Sequence, residues 1–262
     1  MDPLTVIRAQ SDRLAAVLAE TDPAARVPTC PDWDAADLLW HLTEVHLFWA
    51  GILAGNVRTD AGTEAVEAGK PDRPAELSAV LALRTEATDR LLEQLSRLDD
   101  AEPRWSWFEA DRTVGFTRRM QTCEATMHRV DAELTARLPL GPIGPPLAER
   151  LVDHCVDVMW SGWLPEWGSY QPHAVVRLAA ADADRDWLVE VGHWTGTGPE
   201  SGESFDMPRA VRAPDGAPVQ GVIRGSLDDL ARWAWSRGGT VAIDGDAPAR
   251  AAISALIEHG ID

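Results

Sequence analysis

The hydrophobic period of this chain changes once, and that change divides the fold. As far as Trp160 the apolar residues recur at three- and four-residue spacing, the pattern of helices that bury one face. From His173 onward they alternate or run together with β-branched residues, the pattern of strands. Leu4, Ile7, Leu14, Val17 and Leu18 predict a first helix over residues 4–19. A turn-rich segment, Val27-Pro28-Thr29-Cys30-Pro31-Asp32-Trp33-Asp34, follows and ends on an N-cap candidate, Asp34. Further helices are predicted over 35–54, 75–98 and 117–138, with a shorter one over 146–160 and a polar loop over 55–74. Four long helices with modest loops predict a bundle, and bundles build metal sites from side chains on facing helices. The second half is predicted to hold strands over 173–180, 186–191, 218–224 and 240–243, with helices over 226–236 and 247–259. The expected architecture is therefore a helical domain over 1–168 followed by a smaller α+β domain over 169–262.

Length supports that division, since 262 residues with 45% hydrophobic content can bury two modest cores. A net charge of -18, with no basic stripe to offset it, argues against nucleic acid or an anionic membrane surface as partner. No apolar run is long enough to cross a bilayer, and the opening residues lack the order of a secretory signal, so a cytoplasmic location is expected. Cys30, Cys123 and Cys155 are odd in number, widely spaced and without a CxxC pair, which predicts reduced thiols and no thiolate metal cluster. Twelve tryptophans stand against one tyrosine, and packing in two cores is the expected use of most of them.

The chemistry-bearing stretch is Glu124-Ala-Thr-Met-His128, continuing Arg129-Val130-Asp131-Ala132-Glu133. A carboxylate and an imidazole four apart stand on one helix face and can reach one ion. Spacing alone also fits an ordinary intrahelical acid–base pair. His41, in Trp40-His41-Leu42 of the second helix, offers a third ligand if the bundle brings the helices together, although flanking leucines equally suit a core histidine. His46 falls off the His41 face, and His154, His173, His193 and His259 have no spacing partner.

The motifs resemble those of the mycothiol-dependent maleylpyruvate isomerase family. The resemblance rests on Val27-Pro28-Thr29-Cys30-Pro31-Asp32-Trp33, on Asp37-Leu38-Leu39-Trp40-His41-Leu42, and on Glu124 through Glu133. It extends to Gly225-Ser226-Leu227-Asp228-Asp229-Leu230 and Asp244-Gly245-Asp246. It implies a DinB-like four-helix bundle and a C-terminal α/β module similar to sterol carrier proteins. It also implies a divalent metal, typically zinc, on His41, Glu124 and His128, with mycothiol as the thiol cosubstrate. One departure is Cys123, where the family often has histidine; adjacent helical residues point about 100° apart, so Cys123 is not expected on the ion with Glu124.

Two further residues are candidates for the catalytic site. Asp131, one turn beyond His128, could accept the second ring proton and fix the tautomer, or be a surface acid. Arg237, matching a recurrent arginine of the C-terminal module, could hold a substrate carboxylate, or simply complement a helix C-terminus; Arg224 is the weaker alternative. The expected function is a zinc-dependent enzyme that activates a small thiol for cis–trans isomerisation or S-transfer on a small electrophile, acting as a monomer or small homo-oligomer. Two alternatives are a metal enzyme of specialised metabolism that uses no thiol, and a ligand-binding or resistance protein without turnover.

Overall fold

A computed structural model describes residues 1–261 and separates into two compact units, Met1–Gly141 and Pro142 onward. In the first, α1 (Pro3–Ala19), α2 (Ala35–Ala54), α4 (Leu77–Arg97) and α5 (Val114–Thr135) form a four-helix bundle, with the short α3 (Asp60–Ala68) between α2 and α4. Around the bundle α1 packs on α5 and α4, and α2 packs on α4 and α5.

Each long helix that positions the site starts where a side chain satisfies the free amides of its first turn. Asp34 and Asp37 form a reciprocal capping box at the start of α2, which is why that helix begins at the predicted residue. Thr113 Oγ1 accepts the Phe116 amide at the start of α5. Between α1 and α2 the turn-rich segment folds into an antiparallel hairpin, β1 (Arg26–Val27) and β2 (Cys30–Asp34), with Pro28-Thr29 at its tip.

The first core is built from Leu14, Leu18, Val27, Leu38, Leu39 and Leu42, all 2% exposed or less. Fully burying such a side chain is worth about 1.5–3 kcal/mol. α5 is buried along almost its whole length and carries many hydroxyls into the interior. Thr122, Thr126 and Thr135 satisfy theirs by donating to the carbonyl four residues earlier, each at 2.7 Å.

The second unit holds α6 (Pro145–His154), which runs into one π-helical turn over Cys155–Met159, and a five-stranded sheet. Its strands are β3 (Gly168–Ala180), β4 (Asp186–Thr197), β5 (Ser204–Arg212), β6 (Gly221–Gly225) and β7 (Ala242–Gly245), in the order β5-β4-β3-β6-β7. All neighbours are antiparallel except β3 and β6. α7 (Leu227–Ala234) and α8 (Ala247–His259) complete the unit, capped by Ser226 and Asp246.

Three sequence expectations are corrected. The units divide after Gly141, not near Ser169, because α6 buries Leu147, Ala148, Leu151 and Val152 beside α7 and is tied there. Trp235 Nε1 donates to the Leu151 carbonyl at 2.9 Å, and Trp187 Nε1 to Asp153 at 2.7 Å. The predicted loop over 55–74 contains α3, an exposed helix with no buried residue. The strand over 204–212 was not predicted; Pro208 weakens its pattern, and the structure tolerates that proline because β5 is an edge strand.

Candidate metal centre

His41 from α2 and Glu124 and His128 from α5 converge so that one ligand atom from each lies within 4.8 Å of the others. Glu124 Oε1 is the common point, 3.3 Å from His41 Nε2 and 3.1 Å from His128 Nε2. The imidazoles meet edge to face at 4.7 Å between centroids. The site is asymmetric in access, because the His128 side chain is 6% exposed while those of His41 and Glu124 are 24% and 23% exposed. Trp33 covers part of this opening, with its ring 4.5 Å from that of His41 and 6.1 Å from that of His128.

Asp131 is fully buried, which excludes the surface-acid reading. Its Oδ2 accepts from His128 Nδ1 at 2.9 Å, and its Oδ1 accepts from the Thr29 hydroxyl at 2.5 Å. His128 thus lies between two carboxylates, Asp131 on Nδ1 and Glu124 on Nε2. Burial opposes a charge on its ring, but these bonds and charges outweigh burial and raise its pKa to about 9. Glu124 is likewise penalised by burial, yet the His128 and His41 contacts hold its pKa well below the usual carboxylate range.

The other charged residues of this stretch do structural work. Arg129 and Glu133 are an interior ion pair at 2.7 Å, with side chains 3% and 2% exposed. Arg129 also donates to Gln10 and to the Gly141 carbonyl, both at 2.8 Å, while Glu133 accepts from the Gly141 amide and from Arg13. The run from His128 to Glu133 therefore alternates between the ligand site and a lock that fastens α5 to α1 and to the end of the unit.

Of the remaining candidates, Arg237 lies in the second unit, 3% exposed, with Nη1 donating to the Trp235 and Ile261 carbonyls. Its burial and these internal bonds give Arg237 a packing role within the second unit. Arg224 is exposed on β6. His46 is fully buried and is not one of the converging ligands. Thr88 Oγ1 gives its proton to the Arg84 carbonyl, so His46 Nδ1 is the donor in the 2.9 Å bond between them. Burial drives the His46 pKa down to about 3. Thr29 and Trp33 lie in the turn-rich segment before the Asp34 cap of α2, and nothing local in the sequence assigns either a role at the site.

Residues 4–133 match the family model described as mycothiol maleylpyruvate isomerase N-terminal domain. The first unit of this chain belongs to that domain family. Among solved structures, the mycothiol-dependent maleylpyruvate isomerase is similar at a TM-score of 0.56 and 17% identity, covering 94% of this chain and 93% of that one. A histidine-to-alanine mutant of an enzyme of the same name aligns over the same shares at a TM-score of 0.55. At that identity the likeness extends the shared fold to the second unit and assigns no residue roles. A search of curated proteins finds no match. No helix among the described residues is long and apolar enough to cross a membrane.

Proposed function

We propose that this chain is a thiol-dependent isomerase that uses mycothiol together with a divalent metal, zinc being the ion its ligands suit best. The observation that carries the proposal is the convergence of His41, Glu124 and His128 in a unit of this domain family. Two imidazole nitrogens and one carboxylate oxygen match the three-ligand set of catalytic zinc sites. A metal held there would supply Lewis acidity, lowering the pKa of a thiol that reaches it so that a thiolate is available at neutral pH.

The chain's own residues prepare that site. Asp131 keeps a proton on His128 Nδ1, so that Nε2, on the side of Glu124 and His41, is the ring nitrogen that would give up its proton to hold the ion. Trp33 shields the His41 side from water, while the partial exposure of His41 and Glu124 leaves an approach for small molecules. In the reaction, thiolate sulfur adds to one carbon of an activated double bond, and a proton is taken up at the carbanion formed next to the activating group. The bond between the two carbons is then single and rotates. Loss of that proton and of the thiolate restores the double bond in the trans form, so the thiol is regenerated. A substrate with a leaving group would instead retain the sulfur.

Incubating the protein with mycothiol and a panel that includes maleylpyruvate, with products read by mass spectrometry, tests the reading. A thiol-dependent product of unchanged mass supports isomerisation, and one heavier by the thiol supports transfer. Equal conversion in thiol-free buffer, or no thiol-dependent product from any member of the panel, contradicts the proposal.

A further inference from the structure

The β1–β2 hairpin reaches the outer side of both imidazoles. Trp33 of β2 packs on His41, and Thr29, at the tip between Val27 and Cys30, hydrogen-bonds Asp131 behind His128. Thr29 lies 102 residues from Asp131 in sequence, so this bond is made by the tertiary fold. Asp131 and His128 share a helix at i,i+3, and helical spacing brings them close without fixing which way the carboxylate plane turns. Without a hydroxyl on Oδ1 the carboxylate has one anchor fewer against rotation about its last bond, which would lengthen that contact. With Thr29 holding Oδ1 at 2.5 Å, Oδ2 stays 2.9 Å from Nδ1. The valine and cysteine that flank the tip, Val27 and Cys30, are 0% and 6% exposed, so the backbone that presents the hydroxyl is itself anchored in the core.

We infer that Thr29 is a positioning residue of the metal centre: its hydroxyl fixes the Asp131 carboxylate, which in turn fixes the tautomer and orientation of His128. The inference rests on the metal reading of the cluster. Its hydrogen-bond part concerns the protein alone and can be read without a metal.

Thr29→Val removes the hydroxyl at nearly constant shape, and Thr29→Ser keeps it. Zinc affinity is measured by competition with a chromophoric chelator, and the His128 Nδ1 proton is followed by NMR in zinc-stripped protein labelled with ¹⁵N-histidine. Thr29→Val is expected to weaken zinc binding about 10- to 100-fold, the range for lost outer-sphere partners, and to broaden the Nδ1 proton signal. Thr29→Ser is expected to stay within about threefold of wild type by the same principle. In an Asp131→Asn background Thr29→Val is expected to add nothing further, because it acts through Asp131; a merely structural role would give additive losses. Wild-type affinity and an unchanged Nδ1 signal in Thr29→Val overturn the inference, as do additive losses. Should Thr29→Val fail to fold, Thr29→Ala is read against Thr29→Ser in the same cycle. Absence of zinc binding by the wild type itself would refute the metal reading, and the Nδ1 signal would then decide the role of Thr29 by itself.

Discussion

Replacing Arg129 by methionine will destabilise the first unit by about 3 kcal/mol. Breaking a buried ion pair from one side typically costs about 3–5 kcal/mol, because the other charge is left uncompensated. The guanidinium that is lost serves Glu133 at 2.7 Å and both Gln10 and the Gly141 carbonyl at 2.8 Å. Glu133 keeps the Gly141 amide at 2.8 Å and Arg13 at 2.9 Å, which places the cost at the lower end of that range. Arg13 is half exposed and its charge is screened by water, so it replaces Arg129 only in part. Removing the second charge as well, in Arg129→Met with Glu133→Gln, will recover part of the loss, since the uncompensated carboxylate is gone. The pH dependence follows from the same contacts. Burial pushes the Glu133 pKa up, but the Gly141 amide, Arg129 and Arg13 outweigh it and hold the carboxyl below its ordinary value. A lowered pKa stabilises the fold above the ordinary carboxylate range, and that contribution is lost as pH falls through the folded value. Urea unfolding followed by far-ultraviolet circular dichroism, at neutral pH and at pH 4, measures all three. A cost below about 1 kcal/mol for Arg129→Met, or a double variant no more stable than the single one, would refute the ion-pair argument.

Metal affinity will rise with pH. His128 holds a proton up to about pH 9 in the metal-free protein, and that proton must leave Nε2 before a metal can bind there. One displaced proton gives about a tenfold gain in affinity per pH unit well below that pKa, and roughly 50-fold in all between pH 7 and 9, where the group is half deprotonated. Calorimetry in buffers of different ionisation enthalpy should show about one proton released from this group at pH 7; a pH-independent affinity would contradict the His128 assignment. Without metal the sign for folding is the reverse of that for Glu133: the raised His128 pKa stabilises fully below its ordinary value of 6.5, and the contribution fades as pH passes about 9. Gln121, one turn before Glu124, is fully buried with neither amide atom bonded within the described residues. Gln121→Met is therefore expected to be neutral or stabilising in thermal melts, because it removes an unsatisfied polar group at similar volume. A loss above about 2 kcal/mol would show that the amide has a partner.

Much of the helical half was legible because its signals are local. The capping box at Asp34 and Asp37 gave α2 its start, and the i,i+4 and i,i+3 spacings placed Glu124, His128 and Asp131 on one side of α5. Joining His41 to that pair rested on the resemblance to the isomerase family, because its flanking leucines suit a core histidine equally well. What was not legible depends on contacts distant in sequence. Val27 to Asp34 reads as a run of turn formers, and only its burial against the bundle makes it a hairpin that presents Thr29 and Trp33. α6 has the period of the preceding helices, and nothing local says that its apolar face belongs with α7. Arg237 fits a helix end or a binding cleft equally well in sequence, and its bond to the carbonyl of Ile261, 24 residues on, is a contact that no local pattern foretells.

The central claim is that His41, Glu124 and His128 form one metal centre. Elemental analysis of protein purified without chelator, wild type beside His41→Ala and His128→Ala, tests it most directly. About one divalent ion per wild-type chain is expected, with loss of most of it from both variants while their helical content is kept. Full metal retention by both variants, or a folded wild type that takes up no divalent metal, would contradict it.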